Sequence, residues 1–198
     1  MGFDWDEAYR TGQYREEWDC NAASQEVAAC VALGVFPRDG VLLDVGCGSG
    51  SDAVFLASLG FHVKALDISS VALELVKEKA AEAKVKVETI HGSATKMPIE
   101  GASVDFALDR GMLHNLDDKE GRAYAVELAR ILKPGAGFLL RGARISYDGN
   151  FYPITTARIR ATFPSRSFSA GPPVPIQMVS DAAKDRTLDG AIVIIRRK

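Results

Sequence analysis

Three glycines at alternate positions, Gly46, Gly48 and Gly50, directly follow a short apolar run, and this turn constrains the fold more than any other feature of the chain. The run Val41–Val45 has the length and composition of a buried strand, and a helix is predicted from Ser51 onward. Glycines between a strand and a helix let the backbone pass close to a ligand, because no Cβ stands in the way. The first N–H groups of the helix lie free at the same place. The turn therefore predicts a ligand site at the carboxyl end of the first strand.

Apolar strands and helices alternate along most of the chain. Strands are predicted at residues 41–45, 61–66, 85–90, 104–108 and around 138–140, and helices at 21–33, 51–59, 71–83 and 118–132, the last ended by a turn at 133–135. This alternation indicates a parallel sheet covered on both faces. Two later apolar runs, 175–179 and 191–195, are joined by the polar stretch 181–189 and predict a closing antiparallel hairpin. The predicted fold class is α/β, with a seven-stranded, mostly parallel sheet.

An aspartate, Asp67, ends the second predicted strand, 17 residues beyond Gly50. A carboxylate at that position can accept hydrogen bonds from both hydroxyls of an adenosine ribose, as it does in dinucleotide-binding folds. The alternative is that Asp67 caps the next helix, a role for which Ser69 and Ser70 compete.

A second aspartate, Asp44, lies inside the first strand, two residues before Gly46. A carboxylate beside the turn attracts an ammonium or sulfonium group and repels a pyrophosphate. The turn also fits the dinucleotide pattern G-x-G-x-x-A over residues 48–53, so an NAD(P)-dependent oxidoreductase is an alternative. Asp44, the additional glycine Gly46 and the closing hairpin favour a sulfonium ligand.

Three segments, residues 41–57, 65–69 and 132–138, resemble in order the motifs of class I S-adenosylmethionine-dependent methyltransferases. The resemblance covers about residues 40–142. The segment 109–116 and the tryptophan-rich N-terminus are similar to the small-molecule branch, which includes thiopurine and tellurite-resistance methyltransferases. The resemblance implies a single Rossmann-like domain over residues 1–198, S-adenosylmethionine as cofactor and a small-molecule acceptor.

The resemblance also implies roles for individual residues. By this resemblance, the methionine part of the cofactor lies against Gly46, Cys47, Gly48 and Gly50, with Asp44 nearby. Asp67 holds the ribose, and the adenine adjoins Ile68, Ser93 and Ala94. The methyl group emerges beside Asp109 and Arg110. Many relatives carry Asp where Ser93 stands. Alternatively, Cys47 only fills the loop, and Asp109 and Arg110 form a structural ion pair.

Methyl transfer from a sulfonium is an in-line displacement, and an oxygen or nitrogen acceptor often needs a general base. His114 and Asp109 are the predicted catalytic residues, with His114 as the base because its imidazole titrates near neutrality and it follows strand four. The alternative is that His114 packs under the cofactor or caps a helix. A thiolate or another soft acceptor needs no base.

Residues 1–33 are predicted to form an N-terminal lid and helix in front of a core at 34–198. Trp18 and Tyr9 are expected to close over the methyl donor, Tyr9 on the substrate side; alternatively Trp5 and Trp18 only pin the segment to the domain. Residues 141–166 contain five arginines and one acid, Asp148. Arg144 is the candidate for binding an anionic acceptor there, and a solvated basic helix is the alternative.

The bulk properties exclude several other classes. A net charge of −2 argues against a nucleic-acid partner. No apolar run reaches the roughly 20 residues of a membrane span, and the first six residues are acidic where a secretion signal is basic. The three cysteines lack metal-ligand spacing, so no metal is expected. We therefore expect a cytoplasmic enzyme, monomeric or homodimeric, with a catalytically silent cofactor-binding protein as a further alternative.

Overall fold

A computed structural model describes residues 3–146, 151–181 and 186–198. The first two residues, Asp148 and part of the predicted polar connection at 181–189 lie outside these ranges. The described strands are β1 (Val41–Val45), β2 (His62–Asp67), β3 (Glu88–His91), β4 (Val104–Arg110), β5 (Leu132–Ala143), β6 (Phe168–Ala170), β7 (Val174–Asp181) and β8 (Arg186–Arg197). The helices are α1 (Trp5–Thr11), α2 (Gln13–Glu17), α3 (Gln25–Ala32), α4 (Ser51–Ser58), α5 (Ser70–Glu82), α6 (Asp118–Ile131) and α7 (Thr156–Thr162).

The strands form one sheet in the order β3-β2-β1-β4-β5-β8-β6, with β7 also paired to β8. β1 to β5 are mutually parallel, and β8 runs antiparallel to β5, β6 and β7. The predicted α/β class, the parallel sheet and the antiparallel hairpin at its end are confirmed. β6 is an additional strand, and its three residues are too short to show an alternation of apolar and polar side chains.

Both faces of the sheet are buried, which explains why the central strands are almost continuously apolar. On β1, Leu43 packs with the α6 residue Leu128, whereas Leu42 packs on the other face with the α4 residue Leu56. Asp44 lies in the same strand and is also buried. A buried carboxylate within an apolar strand is costly, so its position at the edge where the sheet meets the glycine turn is significant.

The helix starts follow the predicted caps. The Asp117 side chain accepts the backbone N–H of Glu120, and the Glu120 side chain accepts that of Asp117, which forms a capping box for α6. The predicted turn at residues 133–135 is corrected, because these residues lie within β5. The pairing shifts from Val104 opposite Leu132 to Phe106 opposite Gly137, so the segment bulges from the strand instead of ending it.

The N-terminal segment forms the short helices α1 and α2, which precede α3. Its aromatic residues Trp5, Tyr9, Tyr14 and Trp18 pack together with Ala72 of α5, and this places the segment beside the glycine turn. None of the helices in the described ranges has both the length and the apolar character needed to span a bilayer.

Candidate functional site

The glycine turn after β1 is held against the end of β2. Gly46, Gly48 and Gly50 have φ values of 67°, 55° and 80°, a left-handed conformation that costs glycine little and other residues more. The N–H groups of Gly46 and Cys47 both donate to the carbonyl of Leu66, at 2.8 and 3.0 Å. Because of these bonds the turn and the end of β2 form one rigid unit.

Asp67, the last residue of β2, is buried beside this turn. Its Oδ2 accepts the Gly48 N–H and its Oδ1 accepts the Ser69 N–H, each at 2.9 Å. Burial raises the pKa of the Asp67 carboxyl. One backbone donor on each oxygen leaves each oxygen a further lone pair for a ligand. Ser69, whose hydroxyl accepts the Ala72 N–H at 3.1 Å, caps α5, so the capping alternative for Asp67 is wrong.

The surface next to Asp67 is suited to a flat apolar ring. Ile68 is 56% exposed, which is high for a large aliphatic side chain. The loop after β3 lies alongside, because the Gly92 N–H donates to the Asp67 carbonyl at 3.0 Å. In that loop the Ser93 hydroxyl accepts the Thr95 N–H at 3.2 Å, and Ala94 packs on the core. The structure thus brings Asp67, Ile68, Ser93 and Ala94 to one edge of the sheet.

Asp44 and Arg110 lie on the opposite side of the turn, next to Asp52 of α4. Burial, followed by the Asp52 charge, raises the pKa of Asp44 well above its usual value. Arg110 Nε lies 3.8 Å from Asp52 Oδ2, so Arg110 pairs with Asp52 and the alternative of an Asp109–Arg110 pair is wrong. Asp52 also accepts the Ser24 N–H at 2.6 Å, which ties α3 to this cluster.

Asp109 is almost completely buried at the end of β4. Its carboxylate accepts the N–H groups of Gly111, Met112 and Leu113, at 2.9, 2.7 and 3.0 Å, and the Tyr124 hydroxyl at 3.3 Å. Burial raises its pKa to about 7 against the effect of these bonds. The four donors occupy both oxygens, so Asp109 shapes the turn after β4, and its catalytic role stays a prediction.

His114 lies on a short 3-10 turn (Leu113–Asn115) after β4 and is also buried. Its Nδ1 accepts the Ala143 N–H at 2.8 Å. Burial, with the charges of Arg141 and Arg158, lowers its pKa to about 3. A neutral imidazole that accepts at Nδ1 carries its proton on Nε2 and has no lone pair left for a substrate proton. The contacts of His114 are those of the packing alternative, and its role as general base stays a prediction.

The predicted lid residues lie over the glycine turn. Tyr9 is buried, and its hydroxyl oxygen lies 2.6 Å from the position that a Cβ on Gly48 would occupy. Burial and the nearby Asp67 raise the pKa of Tyr9. Its ring packs edge to face on Trp18, with 6.0 Å between centroids. Tyr9 thus sits at the predicted cofactor crevice and not at the ends of β4 and β5, where an acceptor was expected.

The arginines after β5 differ in their surroundings. Arg144 is exposed just beyond the strand, and its proposed contact with an acceptor stays a prediction. Arg158 is buried and donates to the carbonyls of Tyr152, Leu113 and Leu116. A fully solvated basic helix is therefore wrong for this segment. The sequence does give a signal for Arg158, since Ile159 and Thr162 on α7 mark a buried helical face.

Further polar residues near the turn were missed by sequence reasoning. Asp19, Ser49, Ser51 and Lys79 form a hydrogen-bonded cluster, and Asp52 links α3, α4 and Arg110. An acid in the first turn of a helix and a lysine near its end are ordinary features of helices. The sequence around Asp52 and Lys79 therefore carries no signal of these contacts.

Residues 42–135 match the family model described as a methyltransferase domain, and the sheet order and glycine turn agree with it. This match, over just under half of the chain, indicates a methyltransferase domain in the central region. The demethylmenaquinone methyltransferase of Clavibacter sepedonicus is 32% identical over 100 residues, which are 50% of this chain and 39% of that protein. The chain spans less than half the length of the curated relatives that it matches.

Two solved structures show the same fold over more of the chain. One comes from work on the conversion of a disulfide bond into a thioacetal group during echinomycin biosynthesis; it superposes with a TM-score of 0.86 at 22% identity, over 98% of this chain and 90% of that one. The other is the magnesium protoporphyrin IX methyltransferase of Synechocystis PCC 6803 with bound SAM, with a TM-score of 0.69 at 22% identity over 87% and 76%. The methyltransferase fold thus extends beyond the matched domain to the whole sheet.

Proposed function

We propose that this chain is an S-adenosylmethionine-dependent methyltransferase that acts on a small-molecule acceptor. The observation that carries the proposal is the pairing of Asp67 with the glycine turn. The Gly48 N–H orients the carboxylate at 2.9 Å while leaving it acceptor capacity for two ribose hydroxyls.

The residues around this pair fit the remaining parts of the cofactor. The exposed Ile68 side chain offers an apolar surface to adenine. The backbone of Gly46 and Gly48 offers the methionine part the sides of the turn that Met112 and Tyr9 do not cover. Asp44 lies in β1, just before the turn, and an ammonium or sulfonium charge bound nearby would favour its ionised form. When bound, the cofactor supplies an electrophilic methyl group on a positively charged sulfur.

The acceptor class is narrowed by what the ends of β4 and β5 provide. His114 Nδ1 is occupied by the Ala143 N–H and the Asp109 carboxylate by backbone donors, so neither is available to remove a proton. This favours an acceptor atom that is nucleophilic at neutral pH by itself, such as a thiolate or another soft centre. For such an acceptor, the positioning of the nucleophile and the exclusion of water supply most of the acceleration.

Calorimetric titration with S-adenosylhomocysteine and with NAD(H) tests the cofactor assignment. We expect S-adenosylhomocysteine to bind and NAD(H) not to bind. Asp67→Ala should weaken binding by about 1–3 kcal/mol, the scale of lost hydrogen bonds to a charged group. Asp39→Ala, at an exposed aspartate in the loop before β1, is the matched control. Equal affinities of the two variants would remove Asp67 from the site, and tight NAD(H) binding would overturn the proposal.

Turnover is tested with S-adenosylmethionine and a panel of thiols, selenite, phenols and amines. We expect methylation of thiols or selenite, with a rate that rises with the ionised fraction of the acceptor. Tight cofactor binding without turnover of any acceptor would favour the catalytically silent alternative. Preferential methylation of phenols or amines would contradict the proposed acceptor class, because these need a base.

A further inference from the structure

Residues 3–19, which we name the N-terminal strap, are joined to the glycine turn by a cluster of polar side chains. Ser49, inside the turn, donates its hydroxyl to Asp19. Lys79 of α5 donates to the hydroxyl oxygens of Ser49 at 2.6 Å and Ser51 at 3.1 Å, and lies 3.7 Å from the Asp19 carboxylate. The Asp19 side chain is only 8% exposed, and its carboxylate is surrounded by Lys79, the two serines and the Asn21 N–H, which donates to Oδ1 at 2.8 Å.

The strap is attached on the other flank of the turn as well. The Asp6 carboxylate of α1 accepts the Ser69 hydroxyl at 2.6 Å and lies 3.4 Å from the Val71 backbone nitrogen at the start of α5. Ser69 comes two residues after Asp67, the proposed ribose ligand. The two attachments, Asp6 and Asp19, therefore hold the strap on both sides of the proposed cofactor crevice.

Between these attachments, Tyr9 covers the turn itself. An added Cβ on Gly48 would lie 2.6 Å from the Tyr9 hydroxyl oxygen, so there is no room for even a methyl group between them. A ligand cannot lie against this side of Gly48 while Tyr9 occupies it. Tyr9 must move before a ligand can contact this side of Gly48.

The strap has little structure of its own to retain once it is released. α1 has seven residues and α2 has five, well below the length at which an isolated helix is stable in water. Its order depends on the packing of Trp5, Tyr9 and Trp18 on α5 and on the polar attachments. Loss of one attachment is therefore expected to make the strap open more often by local unfolding, and not merely to shift it as a rigid body.

We propose that the N-terminal strap gates cofactor exchange and that Asp19 and Lys79 are positioning residues that set how often it opens. This inference rests on the proposed function. Cofactor enters and leaves when the Asp19 attachment releases and Tyr9 moves off Gly48, and the strap then closes again over the bound molecule. The strap thereby controls the rate of cofactor exchange without contributing to the methyl-transfer chemistry.

Intrinsic fluorescence reports directly on the strap, because both tryptophans of the chain, Trp5 and Trp18, belong to it. In stopped-flow mixing with S-adenosylhomocysteine, we expect a fluorescence change whose rate rises with ligand concentration to a plateau. The rate at the plateau is the rate at which the strap opens. Lys79→Met and Asp19→Asn should each raise that plateau at least fivefold. Lys77→Met is the matched control, since Lys77 is an exposed lysine on the same helix, where it pairs with Glu74.

Hydrogen exchange of the free protein tests the strap without any ligand. The amides of residues 5–17 should exchange at least fivefold faster in Lys79→Met and Asp19→Asn than in wild type or Lys77→Met, while those of β1 remain unchanged. Equal exchange rates in all four proteins would overturn the role of Asp19 and Lys79. If Lys79→Met folds poorly, Asp19→Asn still gives the test, because asparagine keeps the shape of the aspartate side chain.

The failure of this inference differs from the failure of the proposed function. Calorimetric binding of S-adenosylhomocysteine with no change in tryptophan fluorescence, or with a rate that stays linear in ligand concentration and equal in all variants, would overturn the gate and leave the methyltransferase assignment intact. Absence of binding would overturn the assignment, and with it the cofactor gate. Tyr9→Phe, which removes the hydroxyl above Gly48, should accelerate ligand entry; an unchanged rate would contradict the place given to Tyr9.

Discussion

The two halves of the carboxyl edge of the sheet differ in how much hydrogen-bonding capacity their polar side chains keep free. At the ends of β1 and β2, Asp67 is oriented by Gly48 and keeps capacity for further hydrogen bonds. At the ends of β4 and β5, the polar atoms of Asp109, His114 and Arg158 are bonded to backbone groups. A polar residue at this edge is thus available to a ligand only where the neighbouring backbone leaves its hydrogen-bonding capacity free.

Asp109→Ala tests the structural half most severely. It leaves three backbone N–H groups without their acceptor, two of them partly buried and that of Leu113 buried. We expect a loss of about 3–5 kcal/mol in the free energy of unfolding, measured in urea. Asp109→Asn should lose less, because its amide oxygen still accepts. A stable Asp109→Ala protein that binds cofactor and lacks turnover would return Asp109 to a catalytic role.

The pH dependence of stability tests His114. Its pKa is about 3 in the folded protein and 6.5 ordinarily, so the unfolded chain binds more protons between these values. The stabilisation by neutral His114 is therefore complete above about pH 6.5 and is lost progressively as the pH falls towards 3, by about 4–5 kcal/mol in total. Urea unfolding of wild type and His114→Asn across this range should give a difference that shrinks on acidification. A constant difference would contradict a buried neutral imidazole.

Gly48→Ala tests the half that binds ligand. Alanine at a φ of 55° and a Cβ 2.6 Å from the Tyr9 hydroxyl should together destabilise the folded protein by about 1–3 kcal/mol. Adding Tyr9→Phe removes the second contribution only, so the double variant should recover part of the loss in a double-mutant cycle. Full additivity of the two substitutions would show that Tyr9 does not rest on Gly48 in solution.

Ser93→Asp has the smallest expected effect and would sharpen the difference between the halves. Aspartate keeps the local acceptor for the Thr95 N–H and adds a charged acceptor beside Ile68. S-adenosylhomocysteine should bind more tightly by about 0.5–1.5 kcal/mol in calorimetry. Unchanged affinity would place the adenine edge away from this loop. The control is the free energy of unfolding, which should be the same for Ser93→Asp and wild type.

The sequence predicted the parts of the molecule whose causes are local. The apolar runs of β1 to β5, the serine cap of α5 and the acid at the end of β2 depend on neighbouring residues, and the structure has each of them in place. β6 was too short to show a pattern. The bulge at residues 133–136 was mistaken for a turn, because proline and glycine favour both.

The rest depended on contacts distant in sequence. The Nδ1 of His114 is occupied by an N–H group 29 residues further along the chain, and the sequence alone gives no tautomer. Asp19 meets Ser49 across 30 residues and Lys79 across 60. The sequence therefore identified His114 as a chemically suitable residue at the correct edge of the sheet. It did not identify the tautomer and hydrogen bonds of His114, which decide whether the imidazole can accept a proton.

The place of β8 between β5 on one side and β6 and β7 on the other also has a consequence for biosynthesis. β8 follows all its partners in the sequence, so during translation β5 leaves the ribosome with one row of backbone N–H and C=O groups unmatched. Such a row invites pairing with another polypeptide. The interval between synthesis of β5 and arrival of β8 is thus the period in which a nascent chain depends most on chaperones.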